Sequence, residues 1–586
     1  MSWRDLQCGE AGTDRVGERL TLAGWASSRR DHGGLVFIDL RDRTGVCQLV
    51  VNPERAPDAA KTGHAVRTEY VLQAEGELVR RAPDAVNPKL PTGEVELLVD
   101  RLEIVSTCEA LPFQLDEDGV DEAVRLRWRY LDLRRAAMQR NLRLSSTVVA
   151  AIRRAMEAQG FLDIWTPNLL KPTPEGARDF VVPVRLQPGK FFALPQSPQM
   201  LKQILMIAGF DRYYQIATCF RDEDLRADRQ FEFRQLDLEM AFVEQEDVHG
   251  AVEIAVCASF EALGRPVPAR PFPRLSWAEA MRRYGSDKPD LRFGCEIADL
   301  TDATRASGFR VLAEAPCVRA FAVPSALARS ELDRLTDEAK ALGAKGLAYL
   351  VFEESGEVRS PIAKFLGESE LEAARQATGA GPGSTVLFGA DEPSVVAKVL
   401  GALRLKLGHG LGLVDPSRSE LLWIVDFPLF LWDEDAGRFG AAHHPFTGVA
   451  AGQEELIDTD PAAVVSQAYD LVWNGVELGS GSIRIHRPDV QAKVFRTLGL
   501  TDEEAEEKFG FLLRALRMGA PPHGGFALGI DRFAALLAGE SNIREVIAFP
   551  KTASGSDLMS GAPTTVGPAQ LDELGVRLKP GLSPPT

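Results

Sequence analysis

Residues 233–240 read FRQLDLEM, and their alternation dictates the backbone they can adopt. Phe233, Gln235, Asp237 and Glu239 share one parity, and Leu236, Leu238 and Met240 share the other. Successive strand side chains point to opposite faces, so this is a strand with one apolar face and one face of functional groups. The preceding RDEDLRADRQ (221–230) has few strand formers and reads as a long charged loop. Across residues 220–240, four arginines stand among seven carboxylates. A solvated, self-neutralising surface would also mix charges, but the alternation argues against it. Strand, loop and strand instead gather Arg and acid groups at a loop mouth, and guanidinium groups clamp phosphate well.

Asn474-Gly475 lies between β-rich runs and is a strong signal for a two-residue hairpin. Its register pairs Trp473 with Val476 and Val472 with Glu477, making Asp470 a diagonal same-face neighbour of Glu477. Two such carboxylates repel unless a cation lies between them, and oxygen ligands of this kind suit Mg²⁺; a solvated pair on an exposed hairpin is the alternative. Arg484 follows on the same strand as a clamp for an anionic group. GGFALGIDRFAALLAG (524–539) reads as a glycine-rich strand entering a helix near Asp531 or Arg532. An Arg at a helix start can hold a polyphosphate, or make an ordinary terminal salt bridge. The stretch is neither a Walker-type loop nor a dinucleotide fingerprint. His443 and His444 are adjacent; on a strand they would face opposite ways, and no third metal ligand is near in sequence. Hydrogen bonding to a substrate is the better use for at least one of them.

At 586 residues the chain exceeds one core. Its 45% apolar and 26% charged residues are those of a globular protein. No apolar run reaches bilayer length and MSWRDLQCGE is no signal peptide, so no membrane association is expected. Seven scattered cysteines without a C-x-x-C pair point to reduced thiols in a cytoplasm. The net charge of −17 weighs only weakly against nucleic acid, since local patches decide contact. The first hundred residues read as short strands of a small barrel, RLTLAGWASSRR, GLVFIDLRDRTG, VCQLVV and EVELLVDRLEIV. Phe37 falls on the polar, Arg-bearing face, where it can stack on an unpaired base or pack under a loop. An acidic, then basic connector precedes a helix from about Asn141 to Gly160. Residues 288–420 form a βαβ-type block without a catalytic constellation, its helix opened by a Ser330–Asp333 capping box and closed at Gly343.

The order TPNLLKPTPEGARDF, ALPQSPQMLKQ, FRDEDLRADRQFEFRQLDLEM, HHPFTG, GVELGSGSIRIH and GIDR behind a small barrel resembles the bacterial-type aspartyl-tRNA synthetases, class II aminoacyl-tRNA synthetases. The resemblance covers nearly the whole chain. It implies an α+β multidomain protein: an N-terminal OB-fold anticodon-binding barrel (1–106), a hinge (107–138), an antiparallel-sheet catalytic domain in two parts (139–287 and 421–586) and an α+β insertion (288–420). It implies aspartate activation by ATP with Mg²⁺, then transfer to tRNA-Asp, in a cytoplasmic homodimer with Pro167 at its interface. Arg221 would hold the α-phosphate and the aspartate carboxylate. Asp222, Glu223, Gln230, Gly529, Ile530 and Asp531 would line the ATP site, with Phe233 stacked on adenine and Arg532 on the far phosphates. Asp470 and Glu477 would hold Mg²⁺. Lys202 and Arg484 would grip the substrate side chain, Gln199, Asp237 and Glu175 its ammonium, and His443 would close over it. Arg30, His32, Phe37, Gln48 and Glu94 match anticodon-reading positions.

His32 is often Leu in family members restricted to tRNA-Asp and often His in those that also charge tRNA-Asn. Phe231, Arg234, Ser480, Ala442 and Trp165 depart from the usual Pro, Thr, Gly, Met and Glu. Asparaginyl- and lysyl-tRNA synthetases share the plan, but two cations against one side chain suit a carboxylate and repel lysine. A non-catalytic tRNA-binding paralogue is the remaining rival, and the intact Arg221, Glu477, Arg484 and Arg532 weigh against it.

Overall fold

A computed structural model describes residues 3–172 and 176–579. The chain divides into two compact units, 1–139 and 140–586.

The first unit is a closed barrel of the strands Arg19–His32, Leu35–Arg41, Val46–Val51, Val95–Ser106 and Val71–Arg80, in that order around the barrel. Strict alternation closes it. In LVFIDLR, Val36, Ile38 and Leu40 are fully buried, while Phe37, Asp39 and Arg41 lie partly exposed on the outer face. The strand Val71–Arg80 and the helix Pro57–Ala65 went unread in the sequence. The connector is less open than its composition suggests. Two short helices, Glu122–Arg127 and Arg129–Asp132, form in it, and Asp132, fully buried, takes ion pairs from Arg125 and Arg129.

The second unit is built on an eight-stranded sheet. Its order is Arg274–Ser276, Leu421–Val425, Ala468–Trp473, Val476–Ile483, His523–Gly529, Glu232–Ala241, Arg212–Phe220 and Leu162–Asp163. Pairing is antiparallel throughout the middle and parallel only at the two edges. The helices Ala136–Ala158 and Gln245–Ala262 cover the apolar face through Val148, Ile152, Val252 and Val256. Leu236, Leu238 and Met240 point into that core as their parity requires. The opposite face of the strand is not wet: Asp237 and Glu239 are fully buried, beneath the helix Gln199–Ile207 and its Lys202. Close approach sets two glycines here. A Cβ on Gly525 would lie 1.9 Å from the Glu239 carboxylate, and one on Gly481 would lie 2.5 Å from the Tyr469 ring.

A separate five-stranded sheet lies within residues 298–391. Its strands Cys317–Val323 and Ala348–Phe352 flank Ser384–Asp391 and are both antiparallel to it, and the helix Arg329–Ala341 connects them. The expected capping box is absent: Ala328, not Ser330, caps that helix, without a side-chain hydrogen bond. Gly343, φ +110°, follows the helix end as expected.

Candidate active site

The cavity that gathers most of the expected residues has a volume of about 390 Å³ and lies on the polar face of the large sheet. Gln199, Lys202, Arg221, Glu223, Gln230, Phe233, Asp237, His443, Glu477, Arg484, Gly529, Asp531 and Arg532 all line it. Asp470 lies just behind the lining, Asp222 on the outer loop, and Ile530 is fully buried in the apolar core. Glu175 lies outside the described residues.

The floor is a network of four buried charges. Arg484 donates from Nε and Nη2 to the two oxygens of Glu239, at 2.8 and 3.0 Å. Lys202 Nζ is 2.8 Å from Asp237 Oδ1 and 3.4 Å from Glu239 Oε2. The two cations expected to stand free for one substrate group are therefore each already paired, which is what makes their burial affordable. Burial works against charge on Glu239, but Arg484 and Lys202 outweigh it and keep its carboxyl below the usual range. Burial raises Asp237 instead. Among the described residues, Asp237 Oδ2 and Gln199 Nε2 are buried without a hydrogen-bond partner, so the cavity floor offers polar atoms that a ligand can satisfy.

The two histidines lie in a bend, not on a strand, so both reach the cavity. His444 was not singled out by sequence; only its adjacency to His443 pointed to it. Burial and the neighbouring Arg484 hold it well below the usual imidazole range. Its Nδ1 lies 3.2 Å from the Phe446 N–H, and its Nε2 lies 2.8 Å from Arg484 Nη1. A guanidinium can only donate, so the shorter contact directs the Nε2 lone pair at Arg484, whose Nη1 also donates to the Ser482 hydroxyl at 2.7 Å. His443 differs. Burial opposes its charge, but the hydrogen bond to Asp470, 3.2 Å from its Nε2, and the Asp470 charge raise its pKa.

The hairpin forms as read. Asn474 (φ +51°) and Gly475 (φ +82°) make the turn, and Trp473 pairs with Val476 and Val472 with Glu477. A bulge at Leu478 then shifts the register, so that Asp470 faces Ser480. The usual Gly is replaced here by a residue whose hydroxyl donates to Asp470 Oδ1. His443 bonds the same oxygen, and among the described residues nothing bonds Asp470 Oδ2 or either oxygen of the Glu477 carboxylate. Burial first, and Asp470 second, push the Glu477 carboxyl up. Unbonded carboxylate oxygens and mutual repulsion fit a hard divalent cation. Among the described residues no cluster of three or more His, Cys, Asp and Glu could hold a metal, so a cation here would take its remaining ligands from substrate or water.

The residues expected to hold a nucleotide are of two kinds. Arg221 makes no salt bridge among the described residues, and its guanidinium lies 5.0 Å from the Phe233 ring centre. Arg532 donates to the Glu477 carbonyl at 2.7 Å and meets Asp228 at 3.2 Å. Gln230 and Asp531, expected at the ATP site, line the cavity and also bond its walls. Gln230 exchanges hydrogen bonds with the Lys551 backbone at 2.7 and 3.2 Å. Asp531 binds Arg234. Phe231 packs edge-on against Phe180 and over Gly555, where a Cβ would lie 2.6 Å from its ring. Nothing in the structure explains Ala442.

In the barrel, Arg30 pairs across from Phe37, and Asp39 across from Gln48, on one outer face. Gln48 donates at 3.0 Å to Glu96, which sequence reasoning passed over, whereas Glu94 meets Arg80 at 3.5 Å. His32 ends its strand at a turn made by Gly33 and Gly34, both with positive φ.

Residues 121–553 match the family described as class II tRNA synthetases (D, K and N), and residues 20–105 match the OB-fold nucleic acid binding domain. The chain is 50% identical to the aspartate–tRNA ligase of Geobacillus kaustophilus, over 97% of this chain and 98% of that one. It is 52% identical to the aspartate–tRNA(Asp/Asn) ligase of Symbiobacterium thermophilum, over 98% and 99%. The solved asparaginyl-tRNA synthetase of Pyrococcus horikoshii shares the fold at 18% identity, with a TM-score of 0.59 over 93% of this chain and 98% of that one. The class II match spans the cavity, its charged floor and the strands that carry them, and the identity extends along nearly the entire length, so the chain belongs to the bacterial aspartate–tRNA ligases of the class II synthetase family.

Proposed function

We propose that the chain joins L-aspartate to ATP as aspartyl-adenylate and then esterifies the 3′ end of tRNA-Asp, with the roles below. The buried floor of Lys202, Asp237, Glu239 and Arg484 carries the reading. Substrate ammonium takes Asp237 Oδ2 and the Gln199 amide, turned to present its oxygen; Glu175, the third expected ligand, lies outside the described residues. The side-chain carboxylate takes the cations Lys202 and Arg484, with His444 set against the Arg484 guanidinium. Asparagine would present an amide to those donors and lysine a like charge. His443 closes over the bound amino acid.

An α-carboxylate oxygen of aspartate then attacks the α-phosphorus, and the bond to pyrophosphate breaks. This step needs alignment and charge neutralisation, not a protein nucleophile. Arg221, without a salt bridge among the described residues, neutralises the α-phosphate, while Phe233 supports adenine and Glu223 and Gly529 border the nucleotide. Arg532 takes the distal phosphates. Asp470 and Glu477 would hold Mg²⁺, which supplies charge neutralisation to the phosphates when bound. Gln230 and Asp531 act through the walls they brace.

The outer barrel face bearing Arg30, Phe37, Gln48 and Glu94 reads the anticodon, with Glu96 holding Gln48. The proposed organisation is a hinge at 107–138, a catalytic domain in two parts (139–287 and 421–586) and an insertion at 288–420. Homodimer formation around Pro167 is supported by the exposed Leu162, Trp165 and Leu169 at the sheet edge, 50, 75 and 49% exposed. Among the described residues no helix is long and apolar enough to cross a membrane, and the seven cysteines are free, which suits a cytoplasmic enzyme.

His32 favours a second reading in which tRNA-Asn is charged as well, as the name of the Symbiobacterium relative states for that protein. An imidazole can donate or accept at a variable base, where leucine offers only shape. Labelled aspartate supplied with equal tRNA-Asp and tRNA-Asn transcripts separates the two. Charging of tRNA-Asp alone rejects the relaxed reading; charging of both, narrowed by His32→Leu, supports it. Charging of neither rejects the function.

A further inference from the structure

The loop that enters the insertion, GSDKPDLRFGC (285–295), was given no role by its sequence. It lies against the hairpin that carries Glu477. A Cβ on Gly475 would meet Asp290 Cβ at 3.0 Å, so the turn and the loop are in close packing. The loop is pinned from the insertion side by Arg404, on the helix Pro393–Gly410 and 2% exposed. Arg404 donates to the carbonyls of Asp290, Phe293, Gly294 and Cys295 at 2.8–3.1 Å. Its guanidinium also lies 4.2 Å from the Phe293 ring centre and 4.9 Å from that of Tyr284. Four carbonyls and two rings fix one side chain, and through it they fix where the loop presents Asp287 and Lys288.

Those two residues lie within electrostatic reach of the carboxylate pair. Lys288 is ion-paired to Asp287 at 3.1 Å and feels the charges of Glu477 and Asp470. Glu477 in turn is stabilised by Arg532 and Lys288 and opposed by Asp470 and Asp287. Three carboxylates and two cations thus share one neighbourhood, with Lys288 the cation that the insertion loop contributes.

We propose that Lys288 is a positioning residue for the cation and polyphosphate site. It offsets the charge of Asp470, Glu477 and Asp287, so that the site accepts a divalent cation without repelling the nucleotide, and Arg404 holds it in place. This rests on the reading of Asp470 and Glu477 as the Mg²⁺ pair. Removing Lys288 makes the site more negative by one charge and leaves Asp287 unpaired. Cation affinity then rises while nucleotide affinity falls, whereas a purely structural lesion weakens both.

The test uses the full chain, with Mn²⁺ as probe followed by the spin resonance of the free ion, and ATP binding followed by equilibrium dialysis. Lys288→Met is expected to tighten Mn²⁺ roughly 3- to 10-fold and weaken ATP by a similar factor, the size of one partly screened charge. Lys288→Arg should restore both, and thermal melting should stay near that of the parent. Unchanged affinities, or both weakened together, overturn the role of Lys288. Glu477→Gln is the control for the underlying reading: if it leaves Mn²⁺ binding untouched, the carboxylate pair is not the cation site and the proposal falls with it.

Discussion

Arg234 and Asp531 are bound three ways: the Arg234 backbone N–H reaches Asp531 Oδ2 at 2.8 Å, and Nε and Nη2 reach Oδ1 at 3.0 and 2.6 Å. Nη2 also reaches the Ser145 hydroxyl at 3.0 Å. Arg234 has the parity of an apolar position, and the sequence offers no reason for it; its partner, 297 residues away in the chain, is the reason. Arg234→Thr leaves the 3%-exposed Asp531 with only the backbone donor. Leaving such a group underpaired costs about 1–3 kcal/mol. Melting temperature should fall and ATP KM should rise, while Asp531→Asn in the same chain recovers part of the loss. Unchanged melting in the single variant would rule out a bracing role.

Arg484 pairs with Glu239 and, in the proposed function, also holds the substrate. Arg484→Leu removes both, and charge-assisted contacts are worth about 1.5–3 kcal/mol each. Aspartate-dependent pyrophosphate exchange should lose roughly a hundredfold or more in kcat/KM. Melting should drop less than if Glu239 lost all pairing, because Lys202 remains 3.4 Å from it. Steady-state kinetics beside calorimetry would check this, and unchanged aspartate kinetics would contradict it.

The unbonded oxygens of Asp470 and Glu477 bear on the cation requirement. Asp470→Asn and Glu477→Gln should each raise the half-saturating Mg²⁺ for pyrophosphate exchange about tenfold, the loss of one charged ligand. Aspartate binding without ATP should hardly change, which isothermal titration can verify. Identical Mg²⁺ curves for parent and variants would remove the pair from the site.

His249, 1% exposed, stacks on Trp423 at 3.9 Å and makes no hydrogen bond through either ring nitrogen. Burial, helped by Arg274, pushes its pKa down to about 3. The unfolded chain protonates near 6.5. The neutral ring's contribution is therefore intact above that pH and is lost as pH falls from 6.5 toward 3, costing about 2 kcal/mol at pH 5. His249→Phe removes the titrating group and keeps the stack. Its melting temperature should fall less between pH 7 and pH 5 than the parent's. Parallel pH profiles would exclude His249 as a source of acid sensitivity.

Local pattern carried much of this architecture. Alternation in FRQLDLEM and LVFIDLR, and the Asn474-Gly475 turn, were legible because strand faces and two-residue turns depend on neighbours in sequence. The strand Val71–Arg80 was missed because Gly76 and the polar alternation of VLQAEGELVR weaken its signature. The Arg234–Asp531 bond and the pairing of Arg484 with Glu239 were illegible for another reason. Each joins groups hundreds of residues apart, whose meeting is decided by sheet order. His444 was hidden by an assumption about its backbone: on a strand it would face away, but in a bend it reaches the cavity.

The most direct test of the central claim is amino-acid-dependent exchange of pyrophosphate into ATP, measured with purified protein on aspartate, asparagine and lysine. Exchange should depend on aspartate, with asparagine and lysine near background, because the floor sets the cations Lys202 and Arg484 against one carboxylate. Exchange driven by asparagine or lysine at a rate equal to aspartate, or by none of the three, would contradict it.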